Sequence, residues 1–326
     1  MIQPTFPAYG NSGGEFHDGL LESGGSEGKY MDTSGKLAVD PGLYRGWDFS
    51  EGLAAAMREG EKVWGYIDTT GEFVISPRFA TAPEGYVHPF SGGMAKIEVK
   101  GLYGFIDRSG SFVIPPRFLD ATSFEDGMAR VVVEGPCIYF PEEPCGIMNP
   151  RRPGMARYDR HREDAALPPC KFSYIDKSGQ LITGQRFDGG RDFSEGLAPV
   201  QLGGTWGFID RTGIMVIPPV FEDAQPFSSG LARIHANGTY GYADKSGRIA
   251  IVPQFRYAES FSDDLAVVGD GDNKYWYINT KGERSFDGEF ALASRFFKGL
   301  AHVKVVWNGN EEFAYIDTTG RVIFRY

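Results

Sequence analysis

Three short strings recur in step along this chain, and a chain built from copies of one small unit folds by stacking those copies. The first string is aromatic-Ile-Asp-x-Ser/Thr-Gly. It stands as YIDTTG at 66–71, FIDRSG at 105–110, YIDKSG at 174–179, FIDRTG at 208–213 and YIDTTG at 315–320, with looser copies at 30–35, 242–247 and 277–282. The second, Phe-Ser-x-Gly-Leu/Met-Ala, runs from FSEGLA at 49–54 to FFKGLA at 296–301, with worn copies FHDGLL at 16–21 and FSDDLA at 261–266. The third is Val-Ile-Pro-Pro-x-Phe, whole at 113–118 and 216–221. Phe193, Phe227 and Phe261 lie 34 residues apart, so the unit is about 34 residues long and there are about eight of them.

Within one unit, MAKIEVK at 94–100 alternates, with Ala95, Ile97 and Val99 on one face and Lys96, Glu98 and Lys100 on the other, which predicts a half-buried strand. The aromatic-Ile segment after it reads as a strand covered on both sides. Its preceding Gly, as in WGYID at 64–68, permits close approach by a neighbouring backbone. Asp-x-Ser/Thr-Gly is turn chemistry: the Asp bonds nearby amides and the Gly takes a left-handed position. The third strand is expected to stop at its prolines, which donate nothing to a ladder. The spacing Phe221, Ala224, Phe227 predicts one short helical turn linking units. The expectation is three antiparallel strands per unit in an open, curved, solenoid-like array, with a closed propeller-like ring as the alternative.

The linked strings, with Trp-Gly or Tyr-Gly before the aromatic-Ile-Asp at 64–68, 103–107, 206–210 and 240–244, resemble the WG (KWG) repeat family across almost the whole chain. That resemblance implies an all-β repeat of bacterial type with no enzymatic activity assigned to the repeat. It carries over no catalytic residues.

Residues 1–326 therefore read as one WG-repeat domain with a single interruption. From Phe193 to Asp210 the gap is 17 residues, whereas from Phe124 to Asp176 it is 52, which places an insertion at 136–170 between the third and fourth units. The insertion holds seven of the 20 prolines, all three cysteines and five arginines balanced by five acids. Cys137, Cys145, Cys170 and His161 have no Cys-x₂₋₄-Cys spacing, so no metal is expected and the cysteines read as ordinary thiols. Arg151, Arg152, Arg157, Arg160 and Arg162 are candidate binding residues of this loop.

A net charge of −10 is the wrong sign for a protein gripping a phosphate backbone, so no nucleic acid is expected. No apolar run is long enough for a membrane span, and the first residues lack the basic and apolar regions of a secretory signal, so the chain reads as cytoplasmic. The Asp-Thr-Ser-Gly at 32–35 resembles a protease motif, but eight copies do not make a two-carboxylate site. No nucleotide or cofactor motif is present, and no cofactor is expected. The residue after Ala on the first full strand is Lys96, Arg130, Arg233 or His302 in four units, a candidate row if that position faces outward. The functional expectation is a non-enzymatic scaffold that binds another protein, specifically as an immunity or regulatory partner of a toxin or enzyme. The alternative is a glycan or cell-wall ligand module that uses exposed aromatics.

Overall fold

The computed structural model describes residues 17–22, 29–40, 42–80, 87–134, 170–272, 274–307 and 310–325. The chain divides into two compact bodies, Met1–Leu181 and Ile182–Tyr326. Among the described residues there are eight small antiparallel sheets, the first four in the first body and the last four in the second. Within each sheet the strands lie side by side in chain order. The sixth sheet is the pattern: Asp223–Ala224, Leu231–Ala236, Thr239–Asp244 and Ile249–Phe255.

Among the described residues five of the eight sheets have four strands where three were expected. The extra one is the two-residue pair at the place where a helical turn was expected: Asp223 pairs with His235 and Ala224 with Ile234. The third string also corrects its expectation. The strands Phe112–Phe118 and Met215–Phe221 run on through both prolines, because a register shift lets the backbone step over the missing donors. Four-stranded meanders of this kind are the blades of a propeller. The fold class is thus all-β, and four-stranded sheets are the blades of the propeller-like alternative, whereas the solenoid was preferred on a three-strand count.

The sequence strings explain each joint. In Phe-Ser-x-Gly-Leu the two central residues both take positive φ, as Glu195 at 52° and Gly196 at 91°, while Ser194 and Leu197 exchange backbone bonds. This is a type I′ hairpin, whose twist matches that of the strands it joins. In Asp-x-Ser/Thr-Gly, Asp210 Oδ1 accepts from the Thr212 amide at 2.8 Å, the Thr212 hydroxyl at 2.6 Å and the Ile214 amide at 3.0 Å. The hydroxyl and amide bonds hold the Asp210 carboxyl below its ordinary range, and Asp32, Asp68, Asp107, Asp244 and Asp317 repeat the pattern.

The glycine of Trp-Gly is fixed by proximity. A Cβ on Gly207 would stand 2.4 Å from the Ile217 carbonyl oxygen, and on Gly104 or Gly241 2.5 Å from the matching oxygen of Ile114 or Ile251. Only a residue without a side chain lets the third strand pass the proline bulge at this distance.

Apolar cores lie between consecutive sheets. Phe208, Ile217 and Phe221 of the fifth sheet pack against Ala224, Phe227, Ala232 and Ile234 of the sixth. The aromatic of each aromatic-Ile-Asp meets the Phe of the next Phe-Ser-x-Gly: Tyr66 with Phe90 at 5.0 Å between centroids, Phe105 with Phe124 at 4.8 Å and Tyr242 with Phe261 at 4.8 Å. Where that aromatic is Tyr, its hydroxyl donates to a main-chain carbonyl of the next repeat. Tyr66 reaches His88 at 2.8 Å, Tyr242 reaches Glu259 at 2.7 Å and Tyr277 reaches Ser294 at 2.8 Å. Burial pushes all three phenols upward in pKa.

Candidate binding face

The four candidates of the strand row occupy equivalent places. Lys96 pairs across the sheet with Phe105, Arg130 with Tyr174, Arg233 with Tyr242 and His302 with Tyr315. Residues opposite one another share a face, and the face that carries Phe105 and Tyr242 is the one covered by the next sheet. The row therefore exists, but its side chains run along a covered face instead of pointing outward. The Lys96 ammonium donates to the Ala121 carbonyl at 2.6 Å and lies 5.0 Å above the Tyr103 ring. The Arg233 guanidinium donates to the Ala258 carbonyl at 2.7 Å and lies 5.0 Å above Tyr240. Arg130 is 5% exposed with its guanidinium over Phe172, and His302 stacks on Phe313. Lys96 and Arg233 brace one sheet against the next at the sheet edge, and Arg130 and His302 lie against rings of their own sheets.

At that edge the second body gathers a cluster that spacing alone does not reveal. The Asp223 carboxylate lies between two guanidiniums, Arg191 at 2.9 Å and Arg233 at 3.5 Å. The Gln225 amide oxygen, turned toward them, accepts from Arg191 at 2.7 Å and from Arg233 at 3.1 Å. Arg191 also donates to the Ala224 carbonyl and lies 4.4 Å above the Trp206 ring. Tyr257 donates to the Glu259 carboxylate beside it. The side chains of Arg191, Asp223 and Arg233 keep 29%, 29% and 17% of their surface, so the cluster is half-open to solvent.

Comparison of the repeats shows why this edge stands apart. The two positions that flank it hold Arg191 and Pro199, then Gln225 and Arg233, then Glu259 and Val267, then Ser294 and His302 in successive repeats. The framework beside them does not change: Phe193, Phe227, Phe261 and Phe296 all recur, as do Ala198, Ala232, Ala266 and Ala301. Equivalent backbone sites thus carry charge, amide, hydroxyl or apolar side chains on an unvarying scaffold. The signal lay in the residue two before each Phe, which sequence reading passed over.

In the first body a shallow recess is lined by Asp120, Ala121, Thr122, Arg130, Val131, Val132 and Phe172. It is smaller than the roughly 300–1,000 Å³ usual for a small-molecule site. Among the described residues no three His, Cys, Asp or Glu side chains gather as a metal site. Arg151, Arg152, Arg157, Arg160 and Arg162, with Cys137, Cys145 and His161, lie outside the described residues. Cys170 is described: it is disulfide-bonded, which corrects the expectation of an ordinary thiol there. Among the described residues no helix is long and apolar enough to cross a membrane.

The family model described as WG containing repeat matches residues 30–62, 64–103, 103–135, 172–206, 206–240 and 240–275. The chain belongs to the WG repeat family. Among solved structures it is similar to one described as the eukaryotic initiation factor, with a TM-score of 0.59 at 11% identity over 94% of this chain and 85% of that one. AztD of Citrobacter koseri follows at TM-score 0.43 and 12% identity, covering 91% of this chain and 90% of that one. BamB of Moraxella catarrhalis stands at 0.41 and 10% identity, covering 94% and 93%. At such identities the first likeness speaks to fold alone. No curated protein matches the chain.

Proposed function

We propose that this protein is a non-enzymatic scaffold that binds another protein through the sheet edge carrying Arg191, Asp223, Gln225 and Arg233. The observation that carries this reading is the divergence of side chains at the half-open position held in successive repeats by Arg191, Gln225, Glu259 and Ser294, on a constant framework. Repeat arrays use that division of labour when one surface meets a partner and the rest maintains the stack. Guanidinium, carboxylate and amide groups held together at one edge favour a defined docking orientation. The finer reading is an immunity or regulatory partner of a toxin or enzyme, acting in the cytoplasm.

The test is affinity capture from the native host with three matched forms of the full chain. One is unaltered, one carries Gln225→Lys with Ser294→Lys at the edge, and one carries Val216→Lys with Val252→Lys on the exposed fourth strands. A stoichiometric protein held by the first and third but lost by the second supports the reading. Equal capture by all three removes the edge from consideration.

A further inference from the structure

Three joints between neighbouring sheets hold a cation in the same slot. Lys96 donates to the Ala121 carbonyl and lies above the Tyr103 ring, Arg191 to Ala224 above Trp206, and Arg233 to Ala258 above Tyr240. Lys96 and Arg233 stand six residues after the Phe of their Phe-Ser-x-Gly string; where Pro199 takes that place, Arg191 supplies the cation from two residues before the Phe. The joint between the seventh and eighth sheets keeps the acceptor and the ring, as Ala293 and Tyr275, but its two donor positions hold Val267 and Glu259. Ala121, Ala224 and Ala258 are only 3%, 0% and 1% exposed, whereas Ala293 is partly exposed. Among the described residues no cation pairs with Glu259 and no side chain donates to the Ala293 carbonyl. Tyr257 stands edge-on to Tyr275, with ring centroids 5.1 Å apart at 81°, and its hydroxyl donates to the Glu259 carboxylate. A carboxylate, an open carbonyl and two rings thus stand at the joint where the others hold a lysine or arginine.

We propose that this slot, formed by Tyr257, Glu259, Tyr275 and the Ala293 carbonyl, receives a Lys or Arg side chain of the partner protein. The incoming cation supplies from outside the brace that Lys96, Arg191 and Arg233 supply from within. It donates to the Glu259 carboxylate and the Ala293 oxygen and lies against the tyrosine rings, whose faces attract positive charge. A net charge of −10 steers a basic surface toward this chain. The inference rests on the reading of the sheet edge as a binding surface and names the chemistry that the partner presents there.

The probe is N-acetyl-arginine amide, with N-acetyl-citrulline amide as its uncharged counterpart, titrated at constant ionic strength into the full chain carrying isotope-labelled tyrosine. The expected result is a saturable shift of the Tyr257 and Tyr275 ring signals with the arginine compound alone. Glu259→Gln should weaken that binding roughly two- to fivefold. Glu259→Arg, which fills the slot from the position that Arg191 holds in its own joint, should abolish it. Should Glu259→Arg fail to fold, Glu259→Gln decides. No saturable shift in the natural chain, equal shifts with the citrulline compound, or undiminished binding in the folded variants would overturn the proposal. Affinity capture separates this inference from the edge reading. A protein lost by Gln225→Lys with Ser294→Lys and also by Glu259→Arg supports the slot, whereas one held by Glu259→Arg leaves the edge standing and removes the slot as the anchor. Equal capture by every form refutes the edge reading, and a positive titration would still uphold the cation slot.

Discussion

Replacing Gly207 with Ala tests the packing logic of the whole array. The added methyl carbon would lie 2.4 Å from the Ile217 oxygen, 2.7 Å from the Pro219 nitrogen and 2.8 Å from the Pro218 carbonyl carbon. All three are main-chain atoms, so no side chain can swing aside. To restore ordinary contact the third and fourth strands must part by about 1 Å, straining the pairs Trp206 with Phe221 and Phe208 with Ile217. Overpacking of this kind costs about 1–3 kcal/mol, and one or two weakened ladder bonds add roughly 1 kcal/mol each, for about 3–4 kcal/mol in all. Hydrogen exchange read by mass spectrometry on the peptide covering 205–221 reports local opening without assuming two-state unfolding. The expected acceleration is on the order of several hundred-fold, since about 1.4 kcal/mol is tenfold. Gly184 is the control, because its Cβ would meet nothing within 4 Å and its φ is not positive. Gly184→Ala should slow exchange modestly, through an entropy gain of about 0.4–1 kcal/mol in the unfolded chain. If Gly207→Ala exchanges within threefold of the natural chain, the close-approach argument is refuted.

Three further outcomes follow from the joints between repeats. Tyr66→Phe strips the His88 carbonyl of its 2.8 Å donor and should cost about 1–2 kcal/mol by denaturant midpoint, while Phe208→Tyr should not gain that much. Asp210→Ala removes an acceptor of three hydrogen bonds and should destabilise by about 1–3 kcal/mol, whereas Asp210→Asn should lose less, because Asn279 already serves in the same turn of the seventh sheet. Stability should fall on acidification in two windows. Burial, with Lys96 adding to it, lowers His88 from 6.5 to about 3, so the unfolded chain takes up that proton first and stability declines as pH falls below 6.5. The turn aspartates, depressed below 3.8, add their loss beneath that value, and thermal midpoints flat from pH 7 to 3 would contradict both.

The repeat period was legible because the same strings recur at a fixed spacing, and the Asp-x-Ser/Thr-Gly turns because each is a local device, specified by residues within five positions of one another. The two-residue strand Asp223–Ala224 was not, since alternation needs four or more residues to register. Its Ala is buried like a helix contact and mimics one at a spacing of three. The prolines at 218 and 219 read as a stop because the bulge that carries the strand past them is set by Gly207, on another strand. The face occupied by Lys96 and Arg233 stayed open for a similar reason: a period of two separates faces but does not say which one a following sheet will cover. Glu51 shows the same limit. Its carboxylate accepts from the Gly93 amide 42 residues away, as Asp18 does from Gly52 and Asp263 from Gly299, and no local pattern announces that ladder.

One large set of contacts between neighbouring repeats shares a direction of address. Tyr66 and Tyr242 hydroxyls, Ser50 and Ser194 hydroxyls, Lys96 and Arg233 head groups, and Glu51 and Glu195 carboxylates all reach forward to the main chain of the following repeat. Each repeat grips peptide groups that any successor would present. A duplicated or transplanted copy would find its attachment points already in place, with no matching substitution required of its host. Growth of such an array by whole-unit duplication is thereby decoupled from side-chain coevolution at the seams, leaving the half-open positions at the edge free to diverge.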